Sequence, residues 1–362
     1  MRAPRVLVSG VVLGQPHGGV RRHNAELLPR VARILAADGG SLTVLEGRER
    51  IAFDLPTEIE RIVTSVPAGP PIVRAAAEGF ALRAAITDAR ESSRPFDLVH
   101  TAHFPVPLSI GLPFTLTIHD LRAITLAGAS LSRRLVAGPV IGGTARRAAR
   151  VFTVSDFTAR EIAARLGVPN ACVIGNGGDH FDPLPRMDRS GAPLAAIGHL
   201  EPRKNLDVVI TALARDGSLP DLDLHGAAKP GELERLQALA RQLGIGARVH
   251  FRGAFDDVDL PRILAECSAV VFPSRLEGFG IGAIEAQLAH SPLAIADAGA
   301  LPEVAGPDTP RFAPDDVDAC VIAIRRALVA TPVELQRAAV RARRFTWDRV
   351  ASSLAAAWRE LV

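Results

Sequence analysis

The residues best suited to chemistry lie in one stretch, Pro273 to Ala286, which reads PSRLEGFGIGAIEA. Two carboxylates, Glu277 and Glu285, flank a glycine-rich turn that leads from the apolar run CSAVVFPS, 267–274, into a segment of helical composition ending near His290 and Pro292. A strand, a loop and a helix start turn backbone N–H groups and the positive helix end toward the strand's carboxyl edge, which favours anionic or hydroxyl-rich ligands. Glu285 stands about two helical turns beyond Glu277, so the pair would grip different parts of one extended ligand. The same spacing is equally compatible with two solvated surface charges, because glycine-rich turns are common in α/β chains.

A second constellation is GHLEPRKNL, 198–206, where Arg203 and Lys204 adjoin on a loop before a helix. Two cations at a helix N-terminus suit a diphosphate, through charge pairing and backbone N–H donation together. Taken alone, an Arg-Lys pair in a loop is more simply a solvated one. Three histidines, His100, His103 and His119, fall at or near the ends of apolar runs, and His119 is set apart by Asp120 directly after it. His100 and His103 read as hydrogen-bonded strand-end histidines.

The elements that must position these groups alternate. Strands are expected at 5–11, 41–45, 61–66, 97–101, 114–119, 151–155 and 171–174, with helices at 20–37 and 71–90 and a Gly18-Gly19 loop after the first strand. Asp179 to Pro193 has the prolines and mixed charge of a linker. Beyond it the alternation restarts with strands at 194–198, 222–225 and 248–252 and helices at 206–214, 230–243 and 260–266. The fold class is therefore α/β: two Rossmann-like, doubly wound parallel-sheet domains, 1–180 and 194–344, joined by a linker, 181–193, and facing across a cleft. The last segment, 345–362, reads as a helix free to return to the N-terminal domain. Residues 131–150 carry Arg133, Arg134, Arg146, Arg147 and Arg150, interrupted by Gly138, Pro139, Gly142 and Gly143. This stretch reads either as a solvated face or as a basic surface for anionic lipid.

Composition excludes several classes. A net charge of +3, 4% aromatics and no tyrosine argue against a dedicated nucleic-acid binder. Cys172, Cys267 and Cys320 are odd in number and far apart, as free thiols of a reducing compartment are, so neither a disulfide framework nor a zinc site is expected. The N-terminus reads as a first strand rather than a signal peptide, and no run approaches the ~20 apolar residues of a membrane span. A cytoplasmic protein is expected, with peripheral contact at the inner face of the membrane as the alternative offered by 131–150.

The seven-residue interval between Glu277 and Glu285 in PSRLEGFGIGAIEA resembles the signature of the retaining GT-B glycosyltransferases of family 4, the group 1 glycosyltransferases. GHLEPRKNL resembles that family's phosphate-binding loop, and HGGVRRHNAELL at 17–28, TIHDL at 117–121, FTVSDFTAREI at 152–162 and VIGNGGD at 173–179 follow in the family's order. The resemblance covers nearly the whole chain. It implies transfer of a hexose from a nucleotide diphosphate sugar to a hydroxyl of a cell-surface glycan, glycolipid or small-molecule acceptor. Transfer would be retaining, by a front-face route, without metal or other cofactor, and without nucleic acid as partner. By matching position, Glu285 would hold the ribose hydroxyls and Glu277 those of the donor sugar, helped by N–H groups around Gly278, Phe279, Gly280 and Ile281. Arg203 and Lys204 would hold the diphosphate, Gly18 and Gly19 would let the first loop approach it, and His119 would lie against the sugar. His199 and Leu200 stand where some relatives carry an arginine, which shifts the diphosphate grip onto Arg203 and Lys204. Competing readings are an epimerase or phosphorylase on the same fold, or a nucleotide-sugar binder without catalysis.

Overall fold

A computed structural model describes residues 3–14, 19–51, 53–107, 109–125, 131–185 and 191–362, with backbone only at 123 and 131–137. The chain divides into two compact units, Met1–Gly177 with Thr346–Val362, and Gly178–Phe345.

The first unit runs β1 (Arg5–Ser9), α1 (Gly19–Ala37), β2 (Ser41–Glu46), β3 (Glu60–Val63), α2 (Pro71–Glu91), β4 (Leu98–Thr101), β5 (Phe114–Ile118), α3 (Arg122–Thr125), α4 (Leu131–Arg147), β6 (Arg150–Thr153), α5 (Asp156–Leu166) and β7 (Cys172–Val173). The second runs β8 (Leu194–Ile197), α6 (Leu206–Arg215), β9 (Leu222–His225), α7 (Glu232–Gln242), β10 (Val249–Gly253), α8 (Leu260–Glu266), β11 (Ala269–Phe272), α9 (Ile281–Leu288), β12 (Leu293–Ala296), α10 (Leu301–Ala305), β13 (Arg311–Phe312), α11 (Val317–Leu328) and α12 (Pro332–Ala342). The last helix, α13 (Trp347–Arg359), belongs to the first unit and packs along α1.

Among the described residues the first unit holds a seven-stranded sheet in the order β3-β2-β1-β4-β5-β6-β7, and the second a six-stranded sheet in the order β10-β9-β8-β11-β12-β13. Every pairing is parallel. Strands such as AVVF and LAIA are buried along their whole length, which is what a parallel sheet covered by helices on both faces demands. In each sheet the order reverses beside the unit's first strand, at β1/β4 and at β8/β11. The crevice outside the strand carboxyl ends at such a reversal is where open α/β sheets bind ligands.

Two expectations need correction. The helix α4 runs unbroken through Gly138, Pro139, Gly142 and Gly143, because burial of Ile141 and Ala145 in the first core outweighs their poor helix propensity. Within this segment Arg146 and Arg147 are exposed, with Arg146 donating to the Leu166 carbonyl and Arg147 lying over the Phe114 ring, while Arg150 pairs with Glu360; the side chains of Arg133 and Arg134 lie outside the described residues. Phe181, in the stretch expected as linker, is buried in the second core, while 186–190 lie outside the described residues. His100 lies one residue before the end of β4 and is hydrogen-bonded, as expected, and is buried as well. Its Nδ1 lies 2.9 Å from Thr115 Oγ1, which also accepts from Trp358 Nε1 at 3.1 Å, tying α13 to the sheet. His103, two residues past β4, is hydrogen-bonded as expected, 3.0 Å from the Glu78 carboxylate, which also accepts from Ser9 at 2.7 Å. Among the described residues no helix is long and apolar enough to cross a membrane.

Candidate active site

At the reversal of the second sheet, the loops after β8 and β11 are neighbours. The first makes a 3₁₀ turn, Pro202–Lys204, and ends at buried Asn205, whose φ of 54° is left-handed, a conformation asparagine tolerates better than most residues. The Asn205 amide donates to the carbonyls of Pro273 at 3.2 Å and Pro314 at 2.7 Å, and Arg275 N donates to Arg203 O at 3.0 Å. This lacing aims the two cations at the following loop. Lys204 Nζ lies 2.7 Å from Glu277 Oε1, which also accepts from Ser274 Oγ at 2.8 Å. Arg203 lies 2.9 Å from Glu277 Oε2 and donates to Leu276 O at 2.8 Å and to Glu201 at 2.6 Å.

Two cations and two carboxylates thus form a compact quartet of zero formal charge. The sequence assigned Arg203 and Lys204 to one duty and Glu277 to another; the folded chain puts them in direct contact, although 73 positions separate Lys204 from Glu277. Burial works to raise the Glu277 carboxyl, but Lys204 and Arg203 outweigh it and hold it down at about 2. Glu277 is therefore ionised at neutral pH and acts only as an acceptor.

Phe279, Gly280 and Ile281 bring the chain into α9. Gly280 adopts a φ of 95° at the helix start, and a Cβ there would meet Leu301 Cδ2 at 2.8 Å, so glycine is required on both counts. Glu285, on α9, is 8% exposed and its Oε1 lies 2.9 Å from His180 Nε2. His180 is a site residue that the sequence reading missed. It lies 105 positions from its partner in a stretch of linker composition, and no local pattern marks it. The loop after β12 closes on Glu277 from the other side: Ala300 N donates to Glu277 O at 2.9 Å. At Gly299, with φ +60°, a Cβ would stand 2.6 Å from Glu277 N and 2.7 Å from its O. Gly299→Ala is expected to cost roughly 1–3 kcal/mol and to displace Glu277. Thermal unfolding would show a lowered midpoint; an unchanged one would mean that the loop gives way freely.

In the first unit, His119 follows β5 and meets His23 of α1 edge-to-face, ring centroids 4.7 Å apart. His119 Nε2 has no hydrogen-bond partner among the described residues. Gly19 opens α1 with nothing within 4 Å of an added Cβ, and Gly18 lies outside the described residues.

Burial, and then the neighbouring His23, His100 and Arg122, push His119 well below the usual histidine range. Burial takes His23 down to about 4 against the opposing Asn176 hydrogen bond, and burial with His23 and His103 takes His100 to about 3. The unfolded chain therefore binds more protons than the folded one below about pH 6.5. Stability is fully present above that pH and falls by roughly 1.4 kcal/mol per pH unit for each such histidine as pH drops from about 6.5 toward 4. Glu277 adds a second loss between its unfolded range near 4.5 and about 2. Denaturation midpoints taken from pH 8 to 4 are expected to decline from about 6.5 downward; a flat profile to pH 5 would contradict the burial of these rings.

Two parallel-sheet units, with carboxylates and cations gathered at a strand-order reversal, are an arrangement the GT-B fold presents. Residues 17–180 match the sequence profile of Glycosyltransferase Family 4 and residues 192–344 that of Glycosyl transferases group 1. The chain is 31% identical over 310 residues to the glycogen synthase of Mycobacterium tuberculosis, covering 79% of this chain and 73% of that protein. It is 29% identical over 332 residues to the MMP alpha-(1->4)-mannosyltransferase of Mycolicibacterium hassiacum, covering 84% and 79%. The chain belongs to the group 1 glycosyltransferases. Solved structures of like fold include a sucrose-phosphate synthase from Thermosynechococcus elongatus, with TM-score 0.76, 19% identity and 99% of each chain covered. Another is Anabaena HepE in complex with UDP-glucose, with TM-score 0.68, 20% identity and 99% and 100% covered.

Proposed function

We propose that the chain is a retaining hexosyltransferase that takes its sugar from a nucleoside diphosphate hexose and delivers it to a hydroxyl of a cell-surface glycan, glycolipid or small-molecule acceptor. The observation that carries this reading is the convergence of Arg203, Lys204 and Glu277 at the β8/β11 reversal, one loop before α9 and Glu285. Lys204 and Arg203 take the diphosphate, whose charge grows as the glycosyl bond breaks, so their hold strengthens toward the transition state. Glu285, held by His180, accepts from the ribose hydroxyls, and Glu277 from those of the sugar. The fixed cations fill the role of a divalent ion, and the reaction needs no metal. That a chain of the same fold is solved with UDP-glucose supports a donor of this chemical class.

Retention follows from a front-face transfer. The bond from the anomeric carbon to phosphate oxygen breaks, the bond to the acceptor oxygen forms on the same face, and the acceptor proton passes to the departing phosphate. A double displacement needs a carboxylate nucleophile. Glu277, with its charge shared among Lys204, Arg203 and Ser274, is a poor one.

The test is a thermal-shift panel of uridine, guanosine and thymidine diphosphate sugars in the presence of EDTA. A donor at about 100 times its dissociation constant adds roughly 2.7 kcal/mol of stability. Failure of every donor to stabilise the chain would overturn the site assignment. A trapped glycosyl adduct on any carboxylate would overturn the front-face route alone.

A further inference from the structure

We infer that His23, a residue of α1 to which no role falls in the sequence motifs, is a positioning residue for His119. The inference rests on the reading of His119 as a site residue of the proposed transfer.

His23 is 1% exposed and held from three directions. Its Nδ1 lies 2.6 Å from Asn176 Oδ1 in the loop after β7, and Asn176 is itself buried. Because an amide oxygen only accepts, the bond puts the proton on Nδ1 and leaves His23 Nε2 a bare lone pair. The Trp347 indole of α13 packs against the ring at 5.7 Å and 74°. The His119 ring meets it at 4.7 Å and 83°, the edge-to-face arrangement that aromatic quadrupoles favour. His23 is thus a fixed wall, its tautomer set by Asn176 and its place by Trp347, against which one ring orientation of His119 is favoured.

The second observation is what this orientation leaves open. His119 Nε2 is closed to solvent and lacks a partner among the described residues, and so does His23 Nε2. A buried polar nitrogen without a partner costs roughly 1–3 kcal/mol, so a fold that keeps two of them side by side has a reason for doing so. A neutral imidazole with an unspent Nε2 has no bond to the protein to break before it takes up a new hydrogen bond. His23, His100 and Arg122 all disfavour charge on His119, which keeps it in that form.

The test is nitrogen-15 NMR of selectively histidine-labelled, ligand-free chain, reading the His119 ring nitrogens. In the natural sequence a single tautomer is expected. His23→Ala removes the wall and is expected to move the His119 shifts toward the average of two tautomers. His23→Phe restores an edge-on ring and is expected to bring them back. Asn176→Leu frees the His23 ring without opening a large cavity, and is expected to shift His119 in the same direction as His23→Ala even if that variant folds poorly. His119 shifts that stay put in both His23→Ala and Asn176→Leu, or that move equally in His23→Ala and His23→Phe, would overturn the proposal. His119→Ala is run alongside for release of nucleotide from UDP-glucose and GDP-mannose. Release as fast as in the natural chain would count against the transfer role of His119, while the nitrogen shifts still decide the role of His23.

Discussion

Lys204→Ala is expected to lower kcat/KM for the donor by roughly 10²–10³-fold, the usual cost of removing one preorganised group that stabilises developing negative charge. Most of the loss should appear in kcat, because in the proposed transfer the charge that Lys204 would meet is greatest when the nucleoside diphosphate departs. The fold should survive: Glu277 keeps Arg203 at 2.9 Å and Ser274 at 2.8 Å, and Asn205 still laces the two loops. Lys204→Arg should recover only part of the activity. A planar guanidinium needs more room than a point ammonium, and Arg203 already occupies the other oxygen of Glu277. Of the 42 basic residues only Lys204 and Lys229 are lysines, so an amine-selective reagent protected against by nucleotide gives an independent readout at this position. A Lys204→Ala variant with unchanged kcat and only a raised KM would show that Lys204 serves uniform binding instead.

Glu277→Gln is expected to separate two properties that usually fall together. Glu277 is paired with both cations proposed to take the diphosphate, so on that reading nucleotide binding would have to exchange one partner for another. Removing its charge takes the Glu201, Arg203, Lys204 and Glu277 quartet from neutral to +1. A unit charge about 5 Å away at an effective dielectric of about 20 is worth about 3 kcal/mol. Part of this is lost with the orientation that the carboxylate gives to Lys204. A net gain on the order of 1 kcal/mol, roughly fivefold in affinity for bare UDP or GDP, is expected. Turnover of the nucleotide sugar should fall by about 10²-fold or more, since a sugar hydroxyl then meets a neutral amide in place of a carboxylate. Calorimetric titration with the free nucleotide and a donor assay read the two effects separately. If nucleotide affinity instead dropped as far as in Lys204→Ala, the main duty of Glu277 would be to aim the cations.

What was legible in the chain itself depends on range. The strand, glycine turn and helix around Glu277 and Glu285 are specified within twenty consecutive residues, 269–288, so α9 and its start at Gly280 follow from local composition. The alternation of apolar runs with helical segments determines a doubly wound architecture in the same way. The path through 293–344, with its two short strands and three helices, carries weaker local signals and emerges only in the folded unit.

Only the tertiary structure decided which side chains meet. His180 reaches Glu285 across 105 positions with no local pattern to mark it, and His23 reaches Asn176 across 153; the last two each lie in a recognised motif, but nothing in either motif says that they meet. Lys204 and Glu277 were each readable as ligand groups from their own loops. Their contact with one another follows from the strand order β9-β8-β11, which sets two distant loops side by side at the reversal. Sequence patterning fixes which residues sit at strand ends, because burial and helix starts are local physics. It does not fix which strand ends are neighbours, because that is settled by the packing of the whole sheet, and there a free pair of cations became a neutralised quartet.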